Sequence, residues 1–179
     1  MLAVGPVVTV AQQAADLLAA EGVSATVAAV KRLHPLDTDV LTGLLQAHQV
    51  VITVEDNALA AGFGSAVLEL MADAASSRTV GYGLDDGVQM GPVITAESRS
   101  RIEGLIGRGA DEGAQVLVDG RQRQVPAYEE GSFVFPTLLV DVPPQSEIAR
   151  TEVFGPVLSL MHANSVEEAV ALVNDRAYG

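Results

Sequence analysis

The feature that most constrains this chain is a repeated switch of hydrophobic period within its first 78 residues. Leu2-Ala3-Val4 is a short apolar run ending at the turn pair Gly5-Pro6. From Thr9 the period becomes helical: Val10, Ala14, Leu17 and Leu18 recur on one face, Thr9 is the expected cap, and Glu21-Gly22 closes the helix. Ser24 to Val30 reads as a second strand. After the break at Pro35, Asp37 or Thr38 opens a second helix with Val40, Leu41, Leu44 and Leu45 on one face. Gln49 to Glu55 is mostly β-branched and reads as a strand buried on both faces, followed by a helix over Ser65 to Ala72. Such alternation predicts an α/β fold, a parallel sheet covered by helices.

After Ala75-Ser76-Ser77-Arg78 the character changes. Residues 81–92 are rich in Gly and Asp and read as loop. Thr95 then starts a helix with Ile102, Leu105 and Ile106 as its apolar stripe, ended by Gly113. Ala114 to Val118 is a short strand, and residues 119–132 form a polar excursion. Phe133 to Val140 is a strand broken at Pro136, and Val157 to His162 is another. Ser165 with Glu168 makes a capping box for a helix running to Asn174. The boundary falls near residue 78, giving segments 1–78 and 79–179.

Charge narrows the function classes. The formal net charge is −13, and the acidic excess holds in both segments, with 3 basic and 8 acidic residues up to Arg78 and 7 and 15 after it. A phosphate backbone needs clustered Lys and Arg, so nucleic acid is not an expected partner. Apolar runs are interrupted well short of the ~20 residues of a membrane span, so no membrane partner is expected either. With no cysteine and no secretory signal pattern, the expected setting is cytoplasmic.

Candidate sites are few. Gly62-Phe63-Gly64-Ser65 follows a strand and opens a helix, where backbone N–H groups and the helix dipole attract anions. Gly62, Gly64 and Ser65 are therefore candidate anion-binding residues. A full dinucleotide fingerprint would want a third glycine where Val67 stands, and the same glycines also serve a tight turn with close packing. His34, His48 and His162 are far apart, and no spacing suggests a metal site. Ser65 and Ser159 lack the Gly-x-Ser-x-Gly elbow of a hydrolase.

Two sets of words carry family resemblances. Leu2-Ala3-Val4-Gly5, Ala14 to Val23, His34-Pro35-Leu36-Asp37, Val54-Glu55-Asp56-Asn57 and Gly62 to Glu69 resemble the C-terminal domain of the transketolase superfamily, of deoxyxylulose-phosphate-synthase type. His34 stands where that family usually has Lys, and Ala61-Gly62 replaces a glycine pair. The resemblance implies a packing module whose thiamine diphosphate is held by other domains.

Met90-Gly91-Pro92, Gly113 to Gly120, Pro136-Thr137-Leu138-Leu139 and Glu152-Val153-Phe154-Gly155-Pro156-Val157 resemble the aldehyde dehydrogenase superfamily, nearest to methylmalonate-semialdehyde dehydrogenases. It implies that Glu152 holds the nicotinamide ribose of NAD and that Phe154 packs beside the nicotinamide; a solvated acid is the plainer reading of Glu152. The family's nucleophilic cysteine has no counterpart in this chain. The family continues beyond Tyr178-Gly179.

The combined expectation is a chimeric or truncated protein: a transketolase-like parallel-sheet unit followed by an incomplete aldehyde-dehydrogenase-type α/β fragment. No catalytic residue and no bound cofactor are expected in the chain itself, NAD and thiamine diphosphate belonging to the parent families. Two other readings stay open, a residual nucleotide- or phosphate-binding module and an oligomerisation piece that self-associates through exposed sheet edges.

Overall fold

The computed structural model describes residues 1–33, 35–56 and 62–175. His34, Asn57, Ala61 and Tyr178-Gly179, quoted above for the resemblances, lie outside the described residues. The fold is mixed α/β. The chain divides into two compact units, Met1–Met71 with Ala163–Ala171, and Ala72–His162 with the segment from Leu172.

In the first unit, β1 (Leu2–Val4), β2 (Ala28–Val30) and β3 (Thr53–Val54) form a parallel sheet of order β2-β1-β3. Leu2 pairs with both Ala28 and Thr53. The crossover segments carry α1 (Val8–Ala20) and α2 (Thr38–Ala47), and α3 (Phe63–Ser76) follows β3. Leu2, Leu41, Phe63 and Val67 form the buried core.

Three expectations for this unit need correction. A single-turn 3-10 helix, Gly5–Val7, precedes α1, and no side chain caps α1, so Thr9 is not its cap. Pro6 presets a helical φ and starts the winding earlier. The buried face of α1 is Ala11 and Ala15, while Leu17 is 71% exposed: small side chains let the helix pack closely, which a stripe of large residues would not. The run Gln49 to Glu55 is not buried on both faces. Only Thr53–Val54 is strand, it lies at the sheet edge, and Val50 is exposed.

Other boundaries obey the local chemistry. Asp37 caps α2 by accepting from Val40 N at 3.2 Å. At the end of α1, Gly22 (φ +83°) donates to Ala19 O and Val23 donates to Leu18 O, a Schellman closure that needs the left-handed region.

In the second unit, α4 (Ala96–Asp111) buries Ile102, Leu105 and Ile106, as the stripe predicts. Thr95 caps it, its Oγ1 accepting from Ser98 N at 3.1 Å. The strands β4 (Gln115–Val118), β5 (Thr137–Val140) and β6 (Val157–Ser159) form a mixed sheet, β5 lying antiparallel to β4 and parallel to β6. β5 is buried along its whole length. A four-residue helix, α5 (Glu147–Arg150), stands between β5 and β6 and is not legible in the sequence pattern. The last helix, α6 (Val166–Asn174), begins in the stretch Ala163–Ala171 that belongs to the first unit, with Ser165 Oγ accepting from Glu168 N at 3.1 Å.

Candidate functional site

The first candidate site lies at the N-terminus of α3. Glu55 follows β3 directly, and its carboxylate accepts from Phe63 N at 2.7 Å and Gly64 N at 2.8 Å. These are among the N–H groups that an exogenous anion would use. A negative charge there also faces the positive end of the helix dipole, a favourable placement of about 0.3–1 kcal/mol. The approach is close at Gly64, where a Cβ would stand 3.2 Å from Glu55 Oε1. Gly62 and Ser65 flank the same turn, and Gly62 O accepts from Ala66 N at 3.3 Å. The sequence pattern locates this turn but not its internal carboxylate. The signal was present, an acid at the end of a strand preceding a Gly-x-Gly turn.

The second candidate is the loop from Thr151 to Pro156, in the other unit. Its entry is fixed by α5, docked on α4 in two ways. Arg108 on α4 pairs with the Glu147 carboxylate on α5 through Nε and, at 3.1 Å, through Nη2. That hydrogen bond holds the Glu147 carboxyl below its ordinary pKa. Close backbone approach is the second tie: a Cβ on Gly109 would lie 2.8 Å from Ile148 Cγ2. The exit is fixed by the sheet, Pro156 O accepting from Thr137 N at 2.9 Å where β5 begins.

Between those ends burial alternates. Val153 packs against the α4 core, while Glu152 and Phe154 point to solvent, Phe154 being 75% exposed. Phe154 holds φ +47°, a conformation a bulky side chain rarely adopts and one that costs on the order of 1–3 kcal/mol. It is bracketed by two contacts with α4. Arg101 Nη2 donates to Val153 O, and Gly155 fits so closely that a Cβ there would lie 2.7 Å from Ile102 Cδ1. Glu152 and Phe154 are thus both exposed in this loop, separated by the inward-packed Val153. A carboxylate accepts hydrogen bonds from hydroxyls, and an exposed ring offers a flat apolar surface. Sequence reasoning singles out Glu152 and Phe154 but not Arg101, whose carbonyl partner lies 52 positions away.

Among the described residues no group of three His, Cys, Asp or Glu side chains is placed to hold a metal. His48 is engaged at both ring nitrogens, with Leu44 O at 2.8 Å and Thr26 Oγ1 at 3.0 Å, and His162 pairs with Asp141 at 2.8 Å. No described helix is long and apolar enough to cross a membrane.

Comparison with known proteins gives this loop a family. The model of the aldehyde dehydrogenase family matches residues 38–179. The chain belongs to the aldehyde dehydrogenase family. A mitochondrial acylating methylmalonate-semialdehyde dehydrogenase of Arabidopsis thaliana is 40% identical over 139 residues, 68% of this chain and 23% of that protein. The solved methylmalonate-semialdehyde dehydrogenase of Oceanimonas doudoroffii superposes with a TM-score of 0.68 at 28% identity, covering 99% of this chain and 39% of that one. An aldehyde dehydrogenase of Bacillus cereus solved with NAD gives a TM-score of 0.57 at 31% identity, over 65% of this chain and 23% of that one. The chain spans less than a quarter of the length of that Arabidopsis relative.

Proposed function

We propose that this chain is a cofactor-facing fragment of an aldehyde dehydrogenase of methylmalonate-semialdehyde type, and that it does not oxidise aldehydes alone. The loop geometry carries the reading: Glu152 and Phe154 both face solvent on a backbone held at both ends. Their chemistry suits a nicotinamide nucleotide, Glu152 accepting from the ribose hydroxyls and Phe154 flanking the nicotinamide. NAD, when bound, supplies a hydride acceptor. The aldehyde must first be made tetrahedral by a nucleophile, and the 179 residues contain no thiol to do this. Titration of the chain with NAD by calorimetry, beside an aldehyde-oxidation assay, tests both halves. Binding that Glu152→Gln weakens, without turnover, is the expected result. Steady NADH production from an aldehyde would overturn the second half, and absence of NAD binding the first.

For residues 1–78 we propose a unit of transketolase C-terminal type joined to the dehydrogenase fragment. Its support is the order of the quoted words and the parallel sheet they fall on. A second reading makes the whole chain dehydrogenase in origin. It is favoured by a family match that begins at residue 38 and by the 99% coverage of the Oceanimonas likeness. Genomic sequence upstream of Met1 separates the two: a frame continuing into thiamine-diphosphate-enzyme sequence supports the chimera, and one continuing into dehydrogenase sequence supports the second.

A further inference from the structure

We propose that Arg101 is a positioning residue for the Glu152–Phe154 segment: its guanidinium, by holding the Val153 carbonyl, keeps Phe154 in the left-handed region. The peptide joining Val153 to Phe154 has two faces, and its carbonyl direction decides where the next φ can lie. Arg101 takes that carbonyl, so the peptide cannot flip without breaking a charge-assisted hydrogen bond. On the far side Gly155 is pressed on Ile102, which is fully buried in the α4 core, so the chain cannot relieve Phe154 by sliding outward. Val157 N donates to Gly155 O at 2.8 Å and closes the turn. A strained residue persists only where its surroundings over-determine it. Here the two determinants sit on consecutive residues of one helix, Arg101 and Ile102.

Arginine suits the task for a definite reason. The guanidinium is planar and charged at any ordinary pH, and its fork directs a donor along a fixed line, whereas an ammonium on a flexible stem does not. Arg101 acts through Val153, whose carbonyl it holds. The cofactor side of this inference depends on the reading given above, but its backbone side does not.

The test uses Arg101→Ala and Arg101→Lys in the full chain, read first by amide relaxation and chemical shifts at Val153, Phe154 and Gly155, with no ligand present. In the parent protein the order parameter at Phe154 should be that of rigid backbone, about 0.85, and in Arg101→Ala it should fall toward the flexible range below about 0.6. The Phe154 shifts should leave the left-handed range, with partial recovery in Arg101→Lys. A role in general stability alone would lower the unfolding midpoint and leave those signals in place. Unchanged order and shifts at Phe154 in a folded Arg101→Ala chain overturn the proposal. Should Arg101→Ala not fold, Arg101→Lys decides on the same signals. The second readout is NAD affinity, expected to fall about tenfold, equivalent to 1.4 kcal/mol. If the parent chain binds no NAD while the Phe154 signals shift as described, the cofactor reading fails and the positioning role stands.

Discussion

Replacing Gly155 with Ala tests whether the loop rests on α4 as tightly as described. The added Cβ would lie 2.7 Å from Ile102 Cδ1 and 3.1 Å from both Cγ1 and Cγ2. The Cδ1 contact alone could be relieved by rotating χ2, but Ile102 is fully buried and stiff at Cβ, so the γ carbons cannot follow. Overpacking of this kind costs about 1–3 kcal/mol. Ile102→Val removes the atom at 2.7 Å and by itself costs about 0.5–1.5 kcal/mol. In the double variant the new methyl group fills part of the space left by Cδ1. Its destabilisation should fall short of the sum of the single effects by about 0.5–1.5 kcal/mol, as is usual for side chains in contact. Urea titration followed by tyrosine signals is a suitable assay, because Tyr82 and Tyr128 lie in the second unit and report its unfolding. Tyr82 and Tyr128 are packed with ring centroids 5.6 Å apart, which makes their spectra sensitive to unfolding. Strict additivity, within about 0.3–0.5 kcal/mol, would refute the contact and the clamped loop with it.

Three further outcomes follow from described contacts. Gly120→Ala should destabilise the second unit by at least about 3 kcal/mol in the same titration, because a Cβ there would lie 1.9 Å from the Phe135 carbonyl oxygen, a backbone atom with nowhere to go. Glu55→Ala should cost about 1 kcal/mol by uncapping α3, and inorganic phosphate should then raise the melting temperature of the variant but not of the parent chain. Arg108→Gln should move the acid-unfolding midpoint to higher pH: the Glu147 carboxyl is depressed in the fold, so its contribution is present above its ordinary pKa and lost as pH falls through the lowered one. A circular-dichroism titration between about pH 6 and pH 2 covers that window.

Where the sequence was readable, one local rule decided the outcome. The α4 stripe and the Gly22 closure depend on residues within a turn of one another and stand as read, while the structure chooses Asp37 over Thr38 as the α2 cap and makes Thr95 the cap of α4. Where it misled, a distant partner decided. Whether Val50 is buried depends on having a strand on either side, and β3 lies at an edge. The partner of the N–H groups at the α3 N-terminus was likewise not legible: Glu55 accepts from them across eight and nine positions. Glu152 and Phe154 were legible as part of a word, but the left-handed φ of Phe154 was not, because the α4 contacts beside it come from Arg101 and Ile102 on another element. The 3-10 turn before α1 and the brief α5 were missed for a simpler reason: three or four residues are too few to show a period.

The mixed sheet of the second unit has a consequence for how it assembles. β5 meets β4 only after the excursion that includes Gly120 to Ser132, and meets β6 only after α5 and the Thr151–Pro156 turn. Neither neighbour is reachable through a tight hairpin, so no pair of strands can zip up early from a local nucleus. Contacts between residues so far apart along the chain slow the search. This half should therefore lag a helical unit of equal size during refolding, arriving in one late step once α4 offers its apolar stripe as a platform.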